Sequence, residues 1–540
     1  MNSETLSAPA RRACWRALAL CAIVALVVFV RLRLLQIPLE RDEGEYAYSG
    51  QLMLEGIPPY QLAWNMKLPG TYAAYAALMA LFGQSIGGIH LGFLLANLAA
   101  LALLFFIARR LTGVWGAIMS CAAYALLSLS PGVLGLAGHA THLVTLAALG
   151  GLLLLLRARE KGGGAGLFWS GFCFGLSFLC KQPGLYFGMF GFCLVLRDAA
   201  RTRPVAWGPL LRNTAWFSVG MLLPFGLTCL ILWRLGTFQQ FWFWTFTYAK
   251  VHAGILNGAM AWGQFRSFLD SSGWVKWSLP WAGIGLVCLL VEKNNTDRKF
   301  IITTLFGFSL LAFAAAFYFS RHYFIVMLPV LSLLIAISVT AAAQALAGAR
   351  LAAARLAPAA VLAAACAAFV VHHRAIWFQM GPEAACRAIY GENPFVESVE
   401  IARYIREHSA PEARIAVIGS EPQIYFYAHR RSASGFIYMY DLVQLHAYAG
   451  QFQQEMIRKI EAVQPQFLVM VLVSSSWLDW PGADPTLKAW AGPYTRQFYE
   501  RAGSVYIYPA RSDYLWEAAA QVERNDTGFI VDVYKRKNSL

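Results

Sequence analysis

Between residues 16 and 371 the chain is a succession of apolar runs, each close to the thickness of a membrane, parted by short polar segments. A run of about 20 apolar residues in hydrocarbon can satisfy its backbone only as a helix. On that ruler helices fall near 16–36, 86–108, 111–130, 140–157, 165–181, 183–197, 213–234, 277–292, 300–319, 323–345 and 351–371. That makes about eleven, open by one or two, because the pair around 165–197 is short and separated only by Lys181-Gln182-Pro183-Gly184. Composition agrees: 58% of the 540 residues are hydrophobic and 14% charged, where soluble domains carry about 25% charge. The chain reads as a polytopic α-helical membrane protein.

Loop charge orients it. Arg11, Arg12 and Arg16 precede the first run, and Arg109-Arg110 follow the second. Arg157, Arg159 and Lys161 come next, then Arg197, Arg201, Arg203 and Arg212, then Lys293, Arg298 and Lys299, then Arg350 and Arg355. Every second loop is basic, which marks that side as cytoplasmic. The net charge of +15 is therefore spent in membrane-flanking clusters, not in a nucleic-acid surface. The first run has the length of a signal peptide, but cleavage would detach the segment after it, so it reads as a retained signal-anchor. The amino terminus is then inside and residues 37–85 are outside. An odd number of crossings also places everything after about 372 outside.

That tail changes character. Strand-like runs occur at 414–419 and 467–473, with helical periodicity at 394–408 and 450–463. Alternation of this kind indicates a small α/β domain. The expected division is a transmembrane domain, 1–372, whose first outer loop 37–85 is catalytic, and an extracytoplasmic α/β domain, 373–540. Ser420–Tyr427 and Ser474–Trp477 follow strands, where α/β sheets bind ligands. No Gly-rich phosphate loop is present, which argues against a nucleotide-sugar site there. Of ten cysteines all but Cys386 lie in or beside apolar runs, so they read as small apolar residues. Neither a disulfide framework nor a Cys/His metal pattern is visible.

Three outer segments carry the chemistry. The first holds Arg41-Asp42-Glu43-Gly44-Glu45-Tyr46 and then Asn65-Met66-Lys67-Leu68-Pro69-Gly70. Carboxylates at a membrane helix mouth are costly and commonly functional. Residues 46–55 carry Tyr46, Leu52 and Met53 at helical spacing, as in a helix lying in the interface. The second segment, 235–276, opens with the aromatic run 238–248, which reads first as an interfacial belt. The third is Phe319-Ser320-Arg321-His322-Tyr323-Phe324, where Arg321 serves either a substrate or, by snorkelling, lipid phosphates.

The Asp-Glu segment after the first helix, the lysine before a proline, and the basic-aromatic turn before a late helix with Pro329 together resemble the family 39 glycosyltransferases. These are GT-C membrane enzymes that include protein O-mannosyltransferases and the lipid A aminoarabinose transferase. The resemblance covers roughly residues 20–345. The chain departs from it in having Lys-Leu-Pro-Gly where the aminoarabinose enzyme has a lysine and two prolines, and in lacking the extra luminal domain of the eukaryotic enzymes.

The resemblance implies transfer of a sugar from a polyprenyl-phosphate donor to a lipid, glycan or protein hydroxyl, with inversion, on the outer face of a bacterial inner membrane. It places Asp42 as the base, leaves Glu43 a supporting or metal-contacting role, and puts Lys67 on the donor phosphate with Arg321 as a second cation. Tyr46, His139, His142, Lys181, His322 and Tyr323 are candidate substrate contacts. The resemblance assigns no certain cofactor and leaves room for a divalent cation. His139 and His142 share one helical face at metal-ligand spacing, yet no third ligand is identifiable, so polar lining or acceptor contact is the better reading. Asp42 and Glu43 have a plain alternative as partners of Arg41 or Arg33, and Glu45 reads as structural or solvated. The rival function is a transporter or flippase of a lipid-linked or anionic solute. Such proteins carry midplane charges in broken, repeated helices, and those are not evident here.

Overall fold

The structure, a computed structural model, describes residues 8–201, 206–348, 352–522 and 528–537. Of the cations that orient the chain, Arg203 and Arg350, and the side chains of Arg11, Arg12 and Arg355, lie outside the described residues. The chain opens with α1 (Ala8–Arg33), α2 (Arg41–Leu54), α3 (Pro69–Phe82), α4 (Ile86–Ser128), α5 (Ala140–Lys161), α6 (Gly164–Cys180) and α7 (Leu185–Ala200).

Among the described residues eight helices are long and apolar enough to cross a membrane. The 43-residue α4 covers two of the expected runs. At 1.5 Å per residue it would measure about 65 Å, twice a bilayer core. Its backbone breaks at Gly113, where φ is 76°. The α6 and α7 helices, at 17 and 16 residues, fall where the two short runs were expected.

Two differences concern the segment 37–85. The helix expected at 46–55 starts earlier, at Arg41, and its residues Glu43 to Leu52 are all buried. It is a core helix and not one lying in an interface. The second difference is α3, which the 20-residue ruler passes over. Its Pro69-Gly70 start reads as a loop, although proline is favoured in the first turn of a helix, where its missing N–H costs nothing.

The chain forms two compact units. One comprises residues 1–33, 90–228 and 256–379 and is helical. The other gathers 34–89, 229–255 and 380–540. This second unit contains the sheet β1 (Arg414–Ile418), β2 (Arg431–Ser432), β3 (Phe467–Leu472), β4 (Tyr499–Ile507), β5 (Ser512–Trp516) and β6 (Ile530–Arg536). The strand order is β2-β1-β3-β6-β4-β5. β1 runs parallel to β2 and β3, while the β3–β6, β6–β4 and β4–β5 pairs are antiparallel.

Polar and aromatic contacts knit the 34–89 segment to this sheet region. The Tyr48 hydroxyl accepts from Ser432 N at 2.7 Å, and its ring stacks on Tyr425 at 5.1 Å. Trp64 N donates to Gly435 O at 2.9 Å, and Leu39 N donates to the Tyr427 hydroxyl at 2.8 Å. Glu55 pairs with Arg431 at 2.9 Å.

The backbone also approaches closely at Gly44, where an added Cβ would lie 2.6 Å from both the backbone N and the Cβ of Gln423. Forced overpacking of a core costs about 1–3 kcal/mol. Gly44→Ala is therefore expected to lower the apparent melting temperature in detergent by several degrees. Gly226→Ala, in a helix with open space around it, should leave the midpoint unchanged or raise it.

Candidate active site

The first turn of α2 decides where each acid points. Glu40 caps the helix: its side chain accepts from Glu43 N at 2.9 Å, and Glu43 returns a carboxylate oxygen to Glu40 N at 3.2 Å. This reciprocal capping box satisfies two backbone donors that the helix cannot. It also engages Glu43 on the cap. Asp42 and Glu45, three residues apart, then share a helix face, with Tyr46 one turn beyond Asp42.

That face meets Lys67, in the extended stretch before α3. The Lys67 ammonium lies 2.7 Å from Asp42 Oδ1 and 2.6 Å from Glu45 Oε2. It also sits over the rings of Tyr46 and Tyr438, at 4.7 and 5.3 Å. The Tyr60 hydroxyl donates to the Lys67 carbonyl at 2.7 Å, and the Tyr72 hydroxyl to Glu45 Oε1 at 2.6 Å. Tyr438 donates to Asp42 Oδ1 at 3.0 Å across 396 residues of sequence.

Burial sets the electrostatics. The Glu45 side chain is fully buried, while Asp42 and Lys67 are 20% and 19% exposed. Burial raises the Glu45 pKa, and Lys67 only partly offsets it. For Lys67 burial works against the charge, but Asp42 and Glu45 outweigh it and hold the ammonium well above the usual lysine range. Burial likewise keeps Tyr46, Tyr72 and Tyr438 protonated, and Tyr72 and Tyr438 act as donors.

Arg41 faces a different partner. Its guanidinium pairs with the buried Glu421 at 2.5 Å, donates to Ser420 O, and reaches Asn393 Oδ1 at 3.2 Å. Burial opposes its charge, and Glu421 more than restores it. The expected alternative, Arg41 as partner of Asp42 and Glu43, gives way to this arrangement. Glu45, expected to be structural or solvated, is buried and bound to the same lysine as Asp42.

The remaining candidates belong to the helical unit, and four of them gather there. The rings of His139 and His322 stack at 4.1 Å and 10°. Lys181 Nζ lies 3.5 Å from His322 Nε2 and 3.8 Å above the Tyr323 ring. The Thr141 hydroxyl donates to His322 O at 2.9 Å. His142 goes elsewhere: His139 caps α5 in an extended conformation, while the buried His142 ring packs edge-on against Phe93 at 6.2 Å. Arg321 is half-buried at the start of the turn Arg321–Met327.

Sequence reasoning missed Tyr438, Tyr72 and the Arg41–Glu421 pair. Only Glu45 carried a readable signal, its three-residue spacing from Asp42.

Comparison with known proteins agrees with this architecture. The sequence model of the dolichyl-phosphate-mannose-protein mannosyltransferase family matches residues 67–221. Among solved structures, ArnT from Cupriavidus metallidurans in the apo state is similar at 16% identity and TM-score 0.54, over 97% of this chain and 98% of that one. The same protein bound to undecaprenyl phosphate gives 16% identity and 0.53, over 85% and 93%. The archaeal oligosaccharyltransferase AglB from Archaeoglobus fulgidus, in complex with an inhibitory peptide and a dolichol-phosphate, gives 13% and 0.55, over 94% and 75%. No curated protein matches the chain by sequence. The chain has the GT-C fold: a polytopic helical membrane protein with a small C-terminal sheet domain. The expected resemblance to the family 39 enzymes is borne out.

Removing one member of a buried ion pair leaves the other uncompensated, at about 3–5 kcal/mol. Arg41→Ala is thus expected to destabilise the protein strongly in thermal unfolding. Adding Glu421→Gln should recover much of the loss, which a double-mutant cycle measures.

Proposed function

We propose that this protein is a membrane glycosyltransferase that takes a sugar from a polyprenyl-phosphate donor and passes it to an acceptor hydroxyl on the extracytoplasmic face. The observation that carries the reading is the Asp42–Lys67–Glu45 bridge, with Tyr438 on the same Asp42 oxygen as the lysine. A partly exposed carboxylate held in one orientation by two donors is suited to remove a proton at the moment of displacement. Lys67 and Tyr438 are positioning residues for it. Glu45 and Tyr72 in turn fix the lysine.

In this reading the acceptor oxygen attacks the anomeric carbon as its proton passes to Asp42, and the bond to the lipid phosphate breaks on the opposite side. A single displacement inverts the anomeric centre. The departing phosphate takes the electron pair and needs cations or backbone donors to receive it. Lys67 is already shared between two carboxylates, so its first task is to hold Asp42. Glu43 is engaged with the helix cap, where it accepts from Glu40 N. The acceptor is a lipid, glycan or protein, and membrane lipids surround the helices.

The test is transfer of radiolabelled sugar from a panel of polyprenyl-phosphate sugars in membranes. Asp42→Asn keeps size and polarity but cannot accept the proton. General-base catalysis is worth about 10²–10⁴-fold, so transfer should fall by that range while protein level holds. Tyr438→Phe removes one charge-assisted hydrogen bond, and the rate should fall about tenfold. A parallel arm with EDTA reads any need for a divalent cation. Equal transfer by wild type and Asp42→Asn would remove Asp42 from the chemistry. Lipid movement without transfer, unchanged by Asp42→Asn, would favour the transporter reading.

A further inference from the structure

We infer that Glu45 is a positioning residue for the base: it keeps the Lys67 ammonium as Asp42 takes up the acceptor's proton, and its charge leaves Asp42 basic enough to do so. This rests on the role proposed for Asp42 above and deepens it. Asp42 with its two donors alone would be a poor base. Its Oδ1 receives the Lys67 ammonium at 2.7 Å and the Tyr438 hydroxyl at 3.0 Å. Both donors favour the carboxylate over the acid, so they work against the very proton transfer they are placed for. A second negative charge on the same lysine opposes that effect.

Glu45 supplies it. Lys67 Nζ lies 2.6 Å from its Oε2, and the Tyr72 hydroxyl donates to its Oε1 at 2.6 Å. An ammonium can only donate, and an O–H···O bond of that length is charge-assisted, so both oxygens are engaged as those of a carboxylate. The oxygens of Asp42 and Glu45 that share the ammonium lie no further apart than their two bonds laid end to end. At that range each negative charge raises the other's affinity for a proton. Before the displacement the Asp42–Lys67–Glu45 group bears one net negative charge. Once the acceptor's O–H bond has broken and its proton sits on Asp42, the group is neutral and Lys67 keeps an ionic partner. In Glu45→Gln the same step would run from neutral to one net positive charge, and the half-buried ammonium would lose its last counter-ion. The tyrosines that face the pair, Tyr46, Tyr60, Tyr72, Tyr75, Tyr438 and Tyr440, are raised by burial and stay protonated. Three further acids are in range and engaged elsewhere: Glu40 and Glu43 at the cap of α2, and Asp441 with the Tyr248 hydroxyl at 2.8 Å. Among the described residues Glu45 is the one acid that shares the lysine of the base.

Protonation of Asp42 can be read without substrate, because dicyclohexylcarbodiimide reacts with protonated carboxyls. Full-length wild type, Glu45→Gln, Tyr72→Phe and Tyr60→Phe in detergent are labelled across a pH series, and modification at Asp42 is quantified by peptide mass spectrometry. Melting temperatures monitor folding. In Glu45→Gln the pH of half-labelling at Asp42 should fall by about 1–2 units. Tyr72→Phe takes a donor from Glu45 and should give a smaller shift in the same direction, which keeps the test open if Glu45→Gln does not fold. Tyr60→Phe removes only a bond to the Lys67 carbonyl and should leave the midpoint in place. In the membrane transfer assay Glu45→Gln should move the acid limb of kcat to lower pH by the same interval and lower its plateau about 3–10-fold, as expected of a weaker base. KM for the polyprenyl-phosphate sugar should not change. Equal half-labelling pH in wild type and Glu45→Gln would overturn the inference and leave Asp42 as the base, since Glu45 would then carry no charge when Asp42 is protonated. If Asp42→Asn transfers as fast as wild type, the base reading falls, and this inference with it.

Discussion

The Lys67 ammonium between Asp42 and Glu45 is the interaction on which the sheet-bearing unit's chemistry depends. Two carboxylates on one face of a buried helix repel each other, and burial raises the free energy of each charge. A single lysine in hydrogen-bond reach of both makes the pair tolerable. The same lysine ties α2 to the stretch that leads into α3. Tyr60 on its carbonyl and Tyr72 on Glu45 add the donors that a buried ion group needs if its desolvation is to be offset. What results is a carboxylate, Asp42, that is fixed in direction yet partly open to solvent.

The C-terminal region is part of that arrangement. Residues 34–89 and 380–540 belong to one compact unit, and the contacts between them are specific. Gly44 permits backbone approach at Gln423, Arg41 is committed to Glu421, and Tyr438 reaches Asp42. The loop after β1 carries Ser420 and Glu421. Its position after a parallel strand, where such sheets present loops to ligands, here serves to seat the first turn of α2. The sheet region thus contributes the support, and the segment between β2 and β3 one direct donor, Tyr438, to the candidate base.

Much of this was legible in the sequence where the signal is local. Apolar length marked the helices, and amphipathic periodicity anticipated Phe395–Glu407 and Ala449–Val463 within a residue or two. The buried strands β1 and β3 announced themselves as continuous apolar runs. β4, β5 and β6 did not, because β5 is half-buried throughout and β6 is interrupted by Asp532 and Lys535. In the site, Asp42 and Lys67 could be named from residue type and place. The exchange of roles between Glu43 and Glu45 could not, since it follows from a capping box that engages one acid and turns the other toward the lysine. Tyr438 was beyond reach for another reason: a partner 396 residues away leaves no trace in spacing.

The most direct measurement is the configuration of the anomeric carbon before and after transfer, read by NMR on the donor sugar and on the product. A carboxylate acting as base on the acceptor permits one displacement, so the account predicts inversion. Retention would require two displacements through a covalent or equivalent intermediate, and it would contradict the role given to Asp42 and to the lysine that holds it.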